Sequence, residues 1–414
     1  MLIVGLTAAI AFYVAWNLGA NDVANSMGTS VGSGAISLRQ ALIIAGILEL
    51  SGAILFGRRV SATLAAAVVN PAMFADAVPV FSLGMVAVLL TCGIWLQVAT
   101  FLGLPVASSH ATVGAIAGFG WAAAGVAAVN WNSLRLISLT WVVTPLVSAA
   151  IAALIYRLLQ RWILQSLDPV GRMAEWIPWL SVTLVSLFGV IVLPTIVGTQ
   201  ALLWVPLHNI QLAIGAIASV SLTLWTLRSL THLATQPALP PTPLVERVMA
   251  RFQIVSACFV AFAHGSNDVG NAIAPLAAIA TIERTGTLPS GDFDIPLWVL
   301  GLGGVGIVAG LAVWGEKVIT TIGAGIIALQ PSGGFCAELA TATTILLASR
   351  VGLPVSTSHA LVGAVVGVGL VQGIGKIQFK TVQTIALAWL ATIPLCAALA
   401  ALLVRIGMGA WQLS

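Results

Sequence analysis

Long apolar runs, separated by short polar or glycine- and proline-containing stretches, dominate the hydrophobic pattern of the chain. The runs last about 17–25 residues, close to the roughly 20 residues that an α-helix needs to cross a membrane. A membrane β-barrel would instead show shorter segments of alternating apolar and polar positions. The pattern therefore predicts an all-α polytopic membrane protein. The first run, Leu2 to Leu18, lacks a basic leader and a small-residue cleavage site, so we expect a retained helix rather than a signal peptide.

Composition narrows the class of protein further. Hydrophobic residues make up 59% of the 414 positions and charged residues only 7%, whereas soluble domains carry about 25% charged residues. This excludes a cytosolic enzyme, a secreted domain and a disordered chain. The net charge of +4 bears on membrane orientation rather than on nucleic-acid binding. The four cysteines lie singly in apolar segments and have neither metal-ligand spacing nor a disulfide context.

Two motifs recur in the same order in the two halves of the chain. Residues 103–120 (GLPVASSHATVGAIAGFG) and 352–369 (GLPVSTSHALVGAVVGVG) are identical at twelve of eighteen positions. Residues 19–25 (GANDVAN) and 265–271 (GSNDVGN) form the second pair. Chance apolar similarity would repeat Leu and Ala rather than Asn-Asp or Ser-His, so the chain is duplicated. The predicted organisation is repeat one at 1–158, a spacer at 159–249 and repeat two at 250–414.

The spacer contains two apolar segments, at about 179–204 and 209–228, that have no counterpart in the repeats. Arginines flank this pair of segments on both sides, and the short turn between the segments has none. Because two crossings return the chain to the same face, this face is predicted to be cytoplasmic. The stretch from Thr235 to Pro243 (TQPALPPTP) is predicted to be a linker, since it is too rich in proline for a helix.

The first duplicated motif predicts an anion site. Pro105 and Pro354 each precede a small polar cluster, and proline in a first turn starts a helix well. A helix that starts inside the membrane exposes unpaired N–H groups and its positive dipole end, which favour an anion. The alternative is an ordinary helix start at the interface. We expect an oxyanion at the hydroxyl groups of both motifs: Ser108, Ser109, Thr112, Ser356, Thr357 and Ser358. The glycines that follow would allow close helix packing: Gly114, Gly118, Gly120, Gly363, Gly367 and Gly369.

The second duplicated motif predicts a cation site. Ionisable residues at membrane depth are costly and are functional candidates by default. Carboxylate, amide and freed backbone carbonyl oxygens are hard ligands that suit Na⁺, and asparagine has no evident use in a proton site. The expected cation ligands are Asn21, Asp22, Asn25, Asn267, Asp268 and Asn271. Glu49 and Glu338 are further acids in apolar surroundings, and either could accept a hydrogen bond from a protonated oxyanion but would repel one that carries no proton. His110 and His359 could relay protons, bind an oxyanion or serve packing alone.

At these residues the chain resembles the inorganic phosphate transporter (PiT) family. Gly19 to Ala41 is similar to the first signature of that family, and His264 to Ile279 is similar to the second. The resemblance implies two inverted repeats, about twelve membrane segments with re-entrant hairpins, and phosphate uptake coupled to sodium or protons. It also implies that the functionally important acidic pair of the family falls on Glu49 and Glu338. The hairpins are not equivalent, because repeat one has Ala107 where repeat two has Ser356.

The expected function is a secondary transporter that carries phosphate with a cation, Na⁺ rather than H⁺, across the cell membrane. A sulfate transporter of the same fold and an anion channel remain alternatives. An intramembrane enzyme with a Ser-His nucleophile is disfavoured, because adjacent helical residues do not face each other. The expected partners are phosphate, the coupling ion and the lipid bilayer, with no organic cofactor and no nucleic acid. The oligomeric state is open, with a homodimer among the options.

Overall fold

A computed structural model describes residues 2–104, 106–196, 207–235, 240–291, 293–322 and 326–412. Within these residues the chain forms twelve α-helices: α1 (Leu2–Gly32), α2 (Leu38–Ala66), α3 (Val78–Phe101), α4 (Ser108–Ala124), α5 (Trp131–Leu159), α6 (Pro169–Ile196), α7 (Leu207–Ala234), α8 (Pro241–Thr285), α9 (Leu297–Ile322), α10 (Pro331–Arg350), α11 (Thr357–Gln372) and α12 (Phe379–Gln412). The shorter elements are 3₁₀ turns at Pro71–Phe74, Val126–Ala128 and Ile374–Lys376, and a π turn at Gln160–Leu164 that continues α5.

The helical membrane protein that the apolar pattern predicted is confirmed. Nine helices in the described part of the chain are long and apolar enough to cross a membrane. The longest, α8, has 45 residues, which at 1.5 Å per residue is roughly 68 Å. In contrast, α11 has only 16 residues, too few for a crossing of about 30 Å. The inverted orientation of the repeats and the count of about twelve membrane segments stay predictions.

Each copy of the first motif lies where a helix pair reverses direction. The α3–α4 pair turns at Gly103 and the α10–α11 pair turns at Gly352, and both glycines have positive φ. Proline does not start these helices, contrary to the sequence interpretation. The N-cap of α11 is Ser356, whose hydroxyl accepts a hydrogen bond from the backbone N–H of His359. Pro354 therefore lies before the cap, outside the helix, and Pro105 lies outside the described residues.

The hairpin helices exchange partners between the two halves of the chain. Helix α4 packs against α12, and α11 packs against α5. A methyl group at Gly118 would lie 2.1 Å from the carbonyl oxygen of Ala397, and one at Gly367 would lie 2.2 Å from that of Ala149. Such spacing brings the backbones together closely, as the glycine pattern predicted. Each half of the chain therefore holds the hairpin of the other.

The helices that carry the Asn-Asp motifs cross a helix from the opposite half in the same way. Helix α1 packs against α9, and α8 packs against α2. A methyl group at Gly19 would lie 2.0 Å from the carbonyl oxygen of Ile307, and one at Gly265 would lie 2.0 Å from that of Glu49. These equivalent crossings bring the two motifs into the centre of the bundle. Both helices run unbroken through their motif. The backbone carbonyls there accept intrahelical hydrogen bonds, whereas the sequence pattern predicted that they would be available as cation ligands.

The spacer and its linker agree only partly with the sequence prediction. Helices α6 and α7 correspond to its two apolar segments, although residues 197–206 lie outside the described part. The linker was expected to be non-helical as far as Pro243, but α8 already begins at Pro241. Proline is tolerated there because the first helical turn has no backbone partner for its N–H groups. Residues 236–239 of the linker are likewise outside the described residues.

Candidate functional site

Two buried aspartates, one from each half of the chain, accept hydrogen bonds from the starts of the hairpin helices. Ser108 Oγ donates to Asp22 Oδ2 at 2.9 Å, and Thr357 Oγ1 donates to Asp268 Oδ2 at 2.7 Å. These are equivalent contacts, because Ser108 and Thr357 occupy the same position of the duplicated hairpin motif. All four side chains are buried. The predicted anion residues and the predicted cation residues thus meet in one site.

The two aspartates also meet each other, and His264, one turn before Asp268 on α8, lies beside them. One ligand atom from each of Asp22, His264 and Asp268 lies within 4.8 Å of the other two. The Nε2 atom of His264 is 3.0 Å from Asp268 Oδ2, and its Nδ1 atom is 3.1 Å from Glu49 Oε1. We call Asp22, His264, Asp268 and Glu49 the acidic cluster. Burying carboxylates this close together is costly unless a cation or hydrogen bonds compensate their charge.

Two of the predicted asparagines belong to this site. Asn25 Nδ2 donates to Asp22 Oδ1 at 3.3 Å, and Asn271 Nδ2 donates to Ser108 Oγ at 3.3 Å. The Oδ1 atom of Asn271 is buried and has no hydrogen-bond partner among the described residues. Because a buried acceptor without a donor is costly, this oxygen fits a ligand that the chain itself does not supply. An amide oxygen beside two carboxylates is a donor set that suits a hard cation.

The other two asparagines fix the hairpins in place. Asn21 Nδ2 donates to Thr100 Oγ1 at 3.0 Å, close to the end of α3. Asn267 makes the equivalent contact with Ser349 at the end of α10, also at 3.0 Å. In the amide orientation that matches donors with acceptors, Asn267 Oδ1 accepts from Ser349 Oγ at this distance and Asn267 Nδ2 donates to Asp268 Oδ1 at 3.1 Å. These residues tie each motif helix to the hairpin and orient the carboxylate beside it.

The remaining predicted hydroxyls have different environments. Ser109 is 1% exposed, and its Oγ has no partner among the described residues. Thr112 Oγ1 donates to the carbonyl oxygens of Ser108 and Asn271, both at 3.2 Å. Ser356 Oγ caps α11 and lies 2.9 Å from Ser358 Oγ. The unpartnered Ser109 hydroxyl is therefore free to bind a ligand, whereas Thr112 holds α4 against α8.

The two predicted glutamates lie in separate buried environments. Glu49 accepts a hydrogen bond from Ser26 Oγ at 2.9 Å, and its Oε2 has no partner among the described residues. Glu338 accepts hydrogen bonds from the side chains of Thr29, Ser30, Gln253 and Ser256. Glu49 therefore belongs to the acidic cluster through its contact with His264, whereas Glu338 ties α10 to α1 and α8. Neither glutamate bonds to a hairpin hydroxyl among the described residues.

His110 and His359 meet where the two hairpins touch. Their ring centroids are 4.7 Å apart, and each ring also contacts a tryptophan, Trp141 at 3.9 Å and Trp389 at 3.7 Å. His110 Nδ1 is 3.1 Å from the carbonyl oxygen of Trp389. Neither histidine ring has a serine hydroxyl as a hydrogen-bond partner in the described part of the chain. This arrangement does not provide a Ser-His nucleophile.

Sequence reasoning assigned no role to two groups of residues at this site. His264 is one turn from Asp268, and its i,i+4 spacing is a signal that could have placed both on one face of α8. The donors around Glu338 come from α1 and α8, up to 309 positions away in the chain. Their pairing depends on helix packing, so no local pattern reveals it.

These features define a multi-pass membrane transport protein: its helices are apolar, and a buried polar site lies where the α3–α4 and α10–α11 hairpins meet. The chain belongs to the phosphate transporter family, whose sequence model matches residues 18–400, and the resemblance indicated by the motifs is thereby confirmed. A putative phosphate permease of Pyrococcus furiosus is 38% identical over 401 residues, which cover 97% of this chain and 95% of the relative. The chloroplastic inorganic phosphate transporter 2-1 of Arabidopsis thaliana is 38% identical over 424 residues, covering 95% and 70%.

The fold is also similar to that of a solved protein. A structure described as the sodium-dependent phosphate transporter matches with a TM-score of 0.89 and 34% sequence identity. The match covers 98% of this chain and 99% of the solved one. The likeness therefore extends over both hairpins and both motif helices.

Proposed function

We propose that this protein carries inorganic phosphate across the cell membrane together with Na⁺, by alternating access. One observation carries the proposal: equivalent hairpin hydroxyls, Ser108 and Thr357, donate to equivalent buried aspartates at a single site. Hydroxyl and N–H groups at helix starts favour an anion, and the neighbouring carboxylates favour a cation. A site that offers both suits the two ions together.

Charge balance explains why the two ions would bind together. Phosphate alone would face the carboxylates of Asp22 and Asp268 in a medium of low dielectric constant, where repulsion is strong. Monovalent cations between the phosphate and these carboxylates would offset that repulsion. Asn25 and Asn271 would add amide oxygens to the cation ligands, with Asn21 and Asn267 as positioning residues. Phosphate would bind at the six predicted hydroxyl residues, with Ser109 offering an unpartnered hydroxyl.

The two glutamates would have different roles in transport. Glu49 would modulate the cation site through His264, which it approaches to 3.1 Å. Glu338 would hold α1 in place from its set of four donors, so that its role in transport is conformational. The core that carries out transport would be repeat one (1–158) and repeat two (250–414), with 159–249 as a spacer.

The amide ligands favour Na⁺ over H⁺. A proton needs one basic atom, whereas Na⁺ needs several hard oxygens, and Asn271 Oδ1 is an unpartnered oxygen of this kind. The name of the similar solved protein, the sodium-dependent phosphate transporter, supports the same coupling ion. Sulfate carries no proton near neutral pH, so the buried carboxylates favour phosphate over sulfate.

Uptake by the purified protein in liposomes tests this proposal. An inward sodium gradient should drive accumulation of radiolabelled phosphate, and the same gradient of choline should not. A pH gradient without sodium should be much less effective, and equimolar sulfate should leave the uptake unchanged. Uptake that ignores sodium but follows the pH gradient would overturn sodium coupling, and inhibition by equimolar sulfate would overturn the choice of anion.

A further inference from the structure

A basic cavity lies outside the acidic cluster, where α2 approaches the turn between α10 and α11. Its volume is about 450 Å³, and Arg59, Thr63, Gly291 and Gly352 are among the residues that line it. A second cavity, of about 290 Å³, borders the same arginine and also Arg350. Small-molecule sites occupy about 300–1,000 Å³, so the first cavity has room for an ion or a headgroup.

The structure holds both arginines in place through one nitrogen each. Arg350 Nη1 donates to the carbonyl oxygen of Val190 at 3.1 Å. That carbonyl lacks its usual helical partner, because Pro194, four residues further along α6, has no N–H group. Arg59 Nη1 donates to the carbonyl oxygen of Arg350, the last residue of α10. These contacts order two long side chains that would otherwise lose much entropy on binding a ligand.

The other nitrogens of these two guanidinium groups have no protein acceptor in the described part of the chain. A guanidinium group carries five N–H donors in a planar fork that matches phosphate oxygens. Among the described residues, no carboxylate lies within ion-pair distance of Arg59 or Arg350. The neighbouring Arg58 differs, because its Nη1 is 3.2 Å from Asp294 Oδ1. The guanidinium groups of Arg59 and Arg350 therefore border the cavities with no carboxylate partner among the described residues, whereas that of Arg58 is paired with Asp294.

The cavities lie one side-chain layer from the proposed transport site. Ser349 lines the second cavity, and its hydroxyl is 3.0 Å from the amide of Asn267, the residue before Asp268. Gly352 lines the first cavity and belongs to the turn that leads into α11. The first cavity therefore borders the turn that leads to the hairpin start at Thr357.

We propose that the two neighbouring cavities, which share Arg59 and the second of which also borders Arg350, form a second oxyanion site outside the acidic cluster that binds a phosphate group. The group is either free phosphate or the phosphate of a lipid headgroup, since both present the same oxygens to the fork. If the bound group is free phosphate, this site is an entry site for the substrate, and that role rests on the proposed function. Opposite charge at an entrance raises the local anion concentration and the association rate, and salt screens the effect.

Kinetics of phosphate uptake test the site. At low ionic strength in liposomes of zwitterionic lipid, Arg59→Gln and Arg350→Gln should raise the apparent KM for phosphate about threefold or more, with kcat unchanged. Arg59→Lys, which keeps the charge but loses the fork, should be intermediate. Arg58→Gln is the matched control and should stay within about twofold, because an exposed ion pair contributes little. High salt should remove the differences between variants.

A second set of uptake measurements, with an anionic lipid added, distinguishes free phosphate from a lipid headgroup. If a headgroup occupies the cavity, adding phosphatidylglycerol should raise the KM of the wild-type protein and leave that of Arg59→Gln unchanged. If free phosphate occupies it, the anionic lipid should affect both proteins equally. An unchanged KM for Arg59→Gln and Arg350→Gln in both kinds of liposome would overturn the site.

A binding measurement keeps the inference independent of transport. Thr63→Cys places a thiol in the cavity, and an anionic methanethiosulfonate should label it more slowly when inorganic phosphate is present. In the Thr63→Cys, Arg59→Gln double variant phosphate should give no protection. A wild-type protein that fails to transport would overturn the proposed function alone. Labelling rates that neither inorganic phosphate nor phosphatidylglycerol lowers would overturn the second site.

Discussion

The contact between Thr357 and Asp268 typifies the chemistry of the site at the scale of single residues. A hydroxyl donates to a carboxylate at 2.7 Å, with both groups buried and with His264 Nε2 3.0 Å from the same oxygen. Hydrogen bonds to charged groups contribute about 1.5–3 kcal/mol. The hydroxyl therefore couples the hairpin to the aspartate, and a ligand that changes one contact changes the other.

The first prediction concerns the charge of these aspartates. Asp22→Asn and Asp268→Asn should each reduce sodium-driven phosphate uptake at least tenfold, because a charge-assisted contact of about 1.5–3 kcal/mol is lost. Initial rates in liposomes, normalised to reconstituted protein, measure the effect. Asp294→Asn is the control, since this exposed aspartate forms a surface ion pair with Arg58, and its rate should change little. Wild-type rates in both cluster variants would contradict the assigned roles.

Most residues of the site could be predicted from the sequence, because the Asn-Asp and Ser-His motifs occur twice in an otherwise apolar chain. Its assembly could not be, because Asp22 and Asp268 are 246 positions apart and meet only through helix packing. Proline was wrongly placed in the first turn of α11, which begins at Thr357. A small polar residue after a proline can itself be the cap, and Ser356 is the residue whose hydroxyl bonds to the backbone N–H of His359.

At the scale of helices, close backbone contacts hold the two hairpins. Helices α4 and α11 begin at the site and lie against α12 and α5 of the opposite half. Their glycines leave no room for a side chain, so the angle at which each hairpin points its first turn into the site is fixed by backbone contact. Side-chain packing alone would fix this angle less sharply.

The second prediction tests this contact. Gly118→Ala and Gly367→Ala should each destabilise the protein by about 1–3 kcal/mol through overpacking, since the added methyl group would meet a backbone carbonyl. Thermal unfolding in detergent and the amount of folded protein in the membrane measure the loss. Gly215→Ala in α7 is the matched control, because nothing lies within 4 Å of its added methyl group. Equal stability of all three variants would show that the hairpins are not held in this way.

The third prediction concerns Glu338, which ties α10 to α1 and α8. Glu338→Gln keeps the shape but replaces an acceptor oxygen with a donor group that must face the hydroxyls of Thr29, Ser30 or Ser256. Phosphate uptake should therefore fall much more than the abundance of the protein in the membrane. Quantified blots and uptake rates give the comparison, with Glu175→Gln, an exposed residue paired with Arg172, as the control. Parallel losses of uptake and abundance would mean that Glu338 serves folding alone.

For the whole molecule, the apolar runs were sufficient to predict a polytopic helical bundle. They could not predict that α8 continues from the linker through residue 285 as one helix of 45 residues. Prolines at 241 and 243 looked like breaks, yet the first helical turn accepts them. They also could not show that each half packs the hairpin of the other, since hydropathy contains no information about which apolar faces meet. That exchange makes both halves necessary for one site.

The central claim is that phosphate and Na⁺ occupy one coupled site. Equilibrium binding to the purified protein tests it most directly: radiolabelled phosphate binding is measured against sodium concentration, and sodium binding against phosphate concentration. Linkage requires each ion to raise the affinity for the other by the same factor, and we expect that factor to be at least tenfold in the wild type and to approach one in Asp268→Asn. Sodium binding that is indifferent to phosphate in the wild-type protein would contradict the account.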